Sequence, residues 1–233
     1  VEHDEPHDGK IARRLNWLRA GVLGGNDGIV STAGLVLGVA GATSSRTAIL
    51  TAGVAGLASG AMSMAVGEYV SVSSQRDTER ALLAKERLEL QESPAEELEE
   101  LTDLYVVKGL SRDLAAEVAR ELTARDALAA HAEVELGINP GNLASPWHAA
   151  LASFISFALG SLLPIIAIAV PPPSLRVAIT AVAVLLALAL TGLASGRLGE
   201  TPLAKPIWRN VVGGSIAMGV TYGIGTLFGV AVT

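Results

Sequence analysis

Three side chains could do chemistry in an apolar setting: Asp27, Met64 and Glu68. Asp27 interrupts a Gly-rich apolar stretch from Ala20 to Ala42, and Glu68 lies in a second from Thr47 to about Val72. A carboxylate at the centre of a membrane span costs roughly 2.5–3.5 kcal/mol on insertion scales, so it usually marks an ion or proton path. Asp27 lies eight residues beyond Arg19, and Glu68 eight residues before Arg76. At a rise of about 1.5 Å per residue, each is about 12 Å inside its stretch, so the count predicts both acids at one level. Met64 is one turn from Glu68 on the same helix face. A thioether beside carboxylates suits a first-row transition metal better than Mg²⁺ or Ca²⁺. The alternative is a protonated carboxyl packed between helices, with Met64 as core filler. Met62 points elsewhere on the helix and reads as packing.

A second group of donors lies between residues 73 and 146. Glu86 and Glu89 are three apart, as are Glu97 and Glu100, and His131 and Glu135 are four apart. Each spacing puts both members on one helix face. Carboxylate pairs on facing helices plus an imidazole are a way helical bundles hold divalent metals. Charge runs on helices are also ordinary solvated faces, and spacing alone does not separate the two readings. Glu79, Glu92, Glu96, Glu99, Glu117 and Glu121 read as surface. His3 and His7 read as solvated groups of a polar leader.

The elements that must position these donors follow from composition. Half of the 233 residues are apolar, 17% are charged and mean hydropathy is +0.46, which is too apolar for an ordinary soluble domain. With no cysteine, disulfides, thiolate metal sites and a catalytic thiol are excluded. Few aromatics and a net charge of −6 argue against a nucleic-acid partner. Three further apolar stretches run from Trp147 to Val170, Leu175 to about Ser195 and Ile207 to Val232. All five are long enough for the roughly 20 residues that cross a bilayer as helix. The chain therefore reads as an all-α membrane protein: a leader (1–19), spans one and two (20–72), an insert (73–146) and spans three to five (147–233).

The insert holds sixteen acidic and eight basic residues, so the acidity of the chain is concentrated there. It reads as three helices. The first continues span two, because no Gly or Pro occurs from Glu68 to Ser93. The second starts at Ser93-Pro94, with Ser93 as N-cap and Glu96 three residues on, and stops near Gly109. The third is capped by Ser111 and runs to Gly137. Lys and Arg gather in the leader, the insert and the loop 196–209, while the opposite connections hold only Arg46 and Arg176. The positive-inside rule then puts the N-terminus and the insert in the cytoplasm. The leader lacks a signal-peptide pattern.

Two other classes fail on their motifs. A ferritin-like oxidase needs Glu-x-x-His pairs on two helices, and His131 is the only histidine of the insert. A phosphate-binding Gly-x-x-x-x-Gly-Lys-Ser/Thr loop is absent, so ATP-driven transport within this chain is unsupported.

Asn26-Asp27-Gly28 in a Gly-rich first span, followed by Ser63-Met64-Ala65-Val66-Gly67-Glu68-Tyr69-Val70-Ser71, resembles the vacuolar iron transporter family. The order of parts agrees over about residues 15–233. The resemblance implies a homodimer rather than an enzyme, carrying Fe²⁺ out of the cytoplasm in exchange for protons, with Mn²⁺ as a further cargo. It implies a plasma membrane in a prokaryote and a vacuole-type membrane otherwise. No resident cofactor is implied; the insert would bind Fe²⁺, with Mn²⁺, Zn²⁺ or Co²⁺ as other ions it could hold. Carried onto this chain, its ligands are Glu86, Glu89, Glu97, Glu100 and Glu135, with His131 and Ala132 where the family has methionines. Asp27 and Met64 are assigned to the translocation path, and Glu68 to proton coupling or metal transfer. A metal-binding sensor without transport, and a passive cation channel, are the competing readings.

Overall fold

A computed structural model describes residues 10–199 and 201–232. Among them are seven helices and no strand: α1 (Lys10–Ala42), α2 (Arg46–Glu92), α3 (Pro94–Val107), α4 (Arg112–Val134), α5 (Pro146–Ala169), α6 (Arg176–Leu198) and α7 (Ala204–Val232). Five of these, α1, α2, α5, α6 and α7, are long and apolar enough to cross a membrane. His3 and His7 lie outside the described residues. Within the expected leader, α1 already begins at Lys10, ahead of its apolar stretch from Val22. The chain divides into two compact units, one of residues 1–68 and 147–233 and the other of Tyr69–Pro146.

In the first unit α1 is the central helix. It packs on α6 and α7, and its residues Ile29, Ala33, Val36 and Leu37 form a buried core with Ile49, Ile168, Val184, Leu188 and Met218. Glycine makes the close approaches possible, as is common between spans. A methyl added at Gly28 would overlap the Phe157 carbonyl of α5, and one at Gly225 of α7 would overlap the Gly38 carbonyl. Overpacking costs about 1–3 kcal/mol, so Gly28→Ala and Gly225→Ala should each lower the unfolding midpoint in detergent. Gly219→Ala should leave it unchanged, since a methyl there meets nothing within 4 Å.

Polar side chains tie the same helices. Thr32 donates to Ser161 Oγ at 2.8 Å, and Ser161 Oγ donates to the Gly28 carbonyl at 3.3 Å. Thr191 donates to Asn26 Oδ1 at 2.9 Å, and Asn210 Nδ2 lies 3.4 Å from Thr191 Oγ1, so α1, α6 and α7 share one network. Buried in apolar surroundings, these groups stabilise the bundle only because each finds a partner.

The second unit is built from the charged end of α2 with α3 and α4. Pro94 starts α3 at its first turn with Glu96 and Glu97, where a helix N-terminus favours acids. Ser93 and Ser111 hold the expected N-cap positions but make no side-chain cap hydrogen bond. Gly109 (φ +104°) and Gly137 (φ +65°) adopt left-handed conformations that end α3 and α4. The third helix of the insert is not continuous: Asp126 is non-helical (φ −163°, ψ 95°) and accepts a hydrogen bond from the Ala129 N–H at 3.0 Å. It therefore caps a fresh helical segment that carries His131. Leu101, Ala119 and Ala130 pack α3 on α4, and Leu83, Ala132 and Ile138 pack α2 on α4.

Candidate metal centre

These two packing contacts bring Glu86 of α2, Glu97 of α3 and His131 of α4 to one buried point, with a donor atom of each within 4.8 Å of the others. His131 Nδ1 lies 3.0 Å from Glu86 Oε1, 3.6 Å from Glu97 Oε2 and 3.9 Å from Glu135 Oε2. His131 is wholly buried and Glu86 is 4% exposed. Glu135 is only partly covered. Glu89 lies to one side, paired with Lys85 at 2.8 Å, and Glu100 is exposed. Glu92, Glu96, Glu99, Glu117 and Glu121 are exposed, and Glu79 is half-buried and accepts a hydrogen bond from Gln75 Nε2 at 2.8 Å. Glu99 and Asp103 both pair with Arg112. Ala132 is packed against Leu83 and offers no donor.

Both ring nitrogens of His131 and Glu86 Oε1 lack a hydrogen bond, although Nδ1 and Oε1 stand 3.0 Å apart. The oxygen approaches off the direction in which a ring N–H would point. Buried polar groups left this way cost about 1–3 kcal/mol each. Two ligands of one cation face each other in this manner: with bonds of about 2.1 Å, adjacent octahedral donors are about 3.0 Å apart and tetrahedral ones about 3.4 Å. Two carboxylates and an imidazole form a hard and borderline set, which suits Fe²⁺, Mn²⁺, Co²⁺ or Zn²⁺.

The electrostatics agree with a site short of positive charge. Burial, followed by the negative charges of Glu135, Glu97, Glu89 and Glu100, pushes the Glu86 carboxyl up to about 7. Glu97 is also raised, by burial and then by Glu100. All five candidate carboxylates thus act on one another, although only two join His131 in the buried group. Because the folded value for Glu86 exceeds the ordinary 4.5, its contribution to stability is full below pH 4.5 and is lost as pH rises through 7. The loss is about 3 kcal/mol. The metal-free protein should therefore unfold at a lower temperature at pH 8 than at pH 5.5. Glu86→Gln should flatten that difference, and added divalent metal at pH 8 should reverse it; an unfolding midpoint independent of pH in the parent chain would contradict this.

In the membrane unit, Asp27 is exposed on this chain and accepts a hydrogen bond from Ser31 Oγ at 3.0 Å, while Met64 and Glu68 are half-buried. Contacts fix the register of α1 on α2. Leu35 and Val36 face Gly56 and Gly53, and Gly28 and Gly60 both abut Phe157. Antiparallel from there, Asp27 is level with about Met64, and Glu68 is one turn farther on. By this register the two acids, expected at one level, are offset along the helices by about one turn, roughly 6 Å. Lys85 and Asn210 are polar residues assigned no role from the sequence, and Arg176 counted there only toward the charge of a connection. The Lys85–Glu89 spacing of four was a legible signal for the first; for the others the signal was only a polar side chain in or beside an apolar run.

The sequence profile of the VIT family matches residues 18–226. The chain is 45% identical to the "Vacuolar iron transporter" of Acanthamoeba castellanii over 213 residues, covering 91% of this chain and 78% of that protein. It is 39% identical to "Vacuolar iron transporter homolog 1" of Oryza sativa subsp. japonica over 96% of this chain and 80% of the relative. Against "Vacuolar iron transporter homolog 3" of Arabidopsis thaliana the figures are 34% identity, 98% and 92%.

Proposed function

This chain belongs to the VIT family, a family of transporters and not of enzymes, and from that premise we propose that it exports divalent transition metal, Fe²⁺ first and Mn²⁺ as an alternative cargo, from the cytoplasm in exchange for protons. The observation that carries the reading is the buried Glu86–Glu97–His131 group with donor atoms left without hydrogen bonds. The insert collects the cation, its excess of carboxylates raising the local concentration. Glu89, Glu100 and Glu135 widen the entrance to that site. Asp27, Met64 and Glu68 then receive the ion within the spans. A carboxylate that takes metal gives up its proton, so metal and proton compete for the same oxygens. Protons from the far side re-protonate the acids and release the metal outward.

The excess of Lys and Arg in the leader, insert and last loop supports a cytoplasmic N-terminus and insert. The exit membrane is vacuole-type, as the relatives' names suggest, or the plasma membrane in a prokaryote. A second copy of the chain completes the path. Leu23, Asp27, Ser31 and Leu35 form an exposed stripe along α1 at four-residue spacing, and a carboxylate facing lipid carries the cost that burial against a polar partner face removes.

Expression in a cell that lacks its own ferrous exporter tests the reading. Growth on toxic ferrous iron should be rescued and cytosolic iron should decline. A chain that reaches the membrane and binds metal but gives no rescue would be a sensor.

A further inference from the structure

A polar cavity lies in the membrane unit and shares no residue with the metal centre. It has a volume of about 240 Å³ and is lined by Gly41, Ala42, Thr43, Ser44, Pro173 and Arg176, among others. Arg176, counted at first as a loop cation, is the first residue of α6 and is only 6% exposed. Its Nη1 donates to the Ser44 carbonyl at 3.3 Å, and its Nε is buried without a partner. No ion pair joins it to a carboxylate among the described residues.

A guanidinium keeps its charge in proteins, so burying one without an anion is costly. The cavity has the features of an anion's pocket. The N-terminus of α6 opens beside it: the Pro172 carbonyl takes the Arg176 N–H at 3.1 Å, and with no side-chain cap at Leu175 the next N–H groups of the first turn, those of Val177 and Ala178, remain to face that end. Thr43 Oγ1 accepts from the Ser45 N–H at 3.2 Å, which leaves its own O–H to donate. The planar fork of Arg matches the oxygens of phosphate. The place also fits: α1 ends at Ala42 and α6 begins at Arg176, at the rims of two apolar spans, the depth of phospholipid headgroups.

We propose that this cavity binds a phosphate group, with Arg176 as its cation and the α6 N-terminus and Thr43 as further donors. The bound group ties the α1–α2 turn to the start of α6. The phosphate comes either from an anionic lipid headgroup or from free phosphate.

The test uses the full chain, delipidated in detergent, titrated with dihexanoyl phosphatidylglycerol, inorganic phosphate or dihexanoylglycerol while the unfolding midpoint is followed. A saturable rise with a phosphate-bearing ligand, absent with dihexanoylglycerol, is expected. Arg176→Gln should weaken it by about tenfold or more, with Arg176→Lys between. A response to the phosphatidylglycerol alone identifies the lipid headgroup, and a response to inorganic phosphate as well identifies free phosphate. No saturable response to either ligand, or an equal one in Arg176→Gln, overturns the proposal. Should Arg176→Gln not fold, phosphorus-31 NMR of the parent chain decides: a broadened signal saturating at one ligand per chain supports the site, and an unaltered signal refutes it.

Discussion

Asp27→Ala should reduce metal flux to the protein-free background while the chain folds and elutes as the parent does. Asp27 is the one acidic residue between Val22 and Ala42, so no neighbour on that helix can replace its charge. Packing argues that the fold survives. The α1–α5 contact is made by Gly28, Thr32 and Ser161, whereas Asp27 is exposed and bonded locally to Ser31. Removing a carboxylate from an apolar span also removes an insertion cost of roughly 2.5–3.5 kcal/mol, so the variant should unfold no earlier than the parent. Asp27→Asn, with the same shape and no titratable oxygen, should be equally inactive. Parent-like flux in either variant would take Asp27 out of the mechanism.

The second large effect is expected at the insert. Removing one partner from a buried charged group costs roughly 3–5 kcal/mol, so Glu86→Ala or His131→Ala should weaken metal binding by about two to three orders of magnitude. Glu89→Gln and Glu100→Gln should cost much less, because Glu100 is exposed and Glu89 is already engaged by Lys85. Anaerobic calorimetric titration of the full chain with Fe²⁺ measures all four. Affinity should also weaken as pH is lowered through 7, where Glu86 takes up a proton that metal must displace. An equal loss at all four positions would mean that the ion sits on the acidic surface and not at the buried group.

Much of this architecture is legible in local residues. The apolar runs are separated by Gly-Ala-Thr-Ser-Ser-Arg at 41–46 and by Pro171-Pro172-Pro173, and these mark helix ends because they supply turn chemistry where hydrophobic periodicity stops. Pro94 and Gly109 bound α3 for the same reason. The break at Asp126 was hidden, because its neighbours are strong helix formers and only the Asp side chain announces the new cap. Spacing singled out six donors in the insert and could not rank them. Their burial depends on how α3 and α4 pack through Leu101, Ala119 and Ala130, which is a tertiary fact. The level of Asp27 against Glu68 likewise depends on glycines meeting Leu35, Val36 and Phe157 across helices. Arg176 counted in the sequence only toward the charge of a connection, because nothing beside three prolines announces the cavity that buries it.

The central claim is coupled exchange, and Fe²⁺ uptake into proteoliposomes with lumenal pH read in parallel tests it most directly. Acid-inside vesicles should load metal and lose protons together, with neither movement in Asp27→Ala vesicles. Metal entry at the same rate with and without the pH gradient would contradict exchange and make the protein a channel.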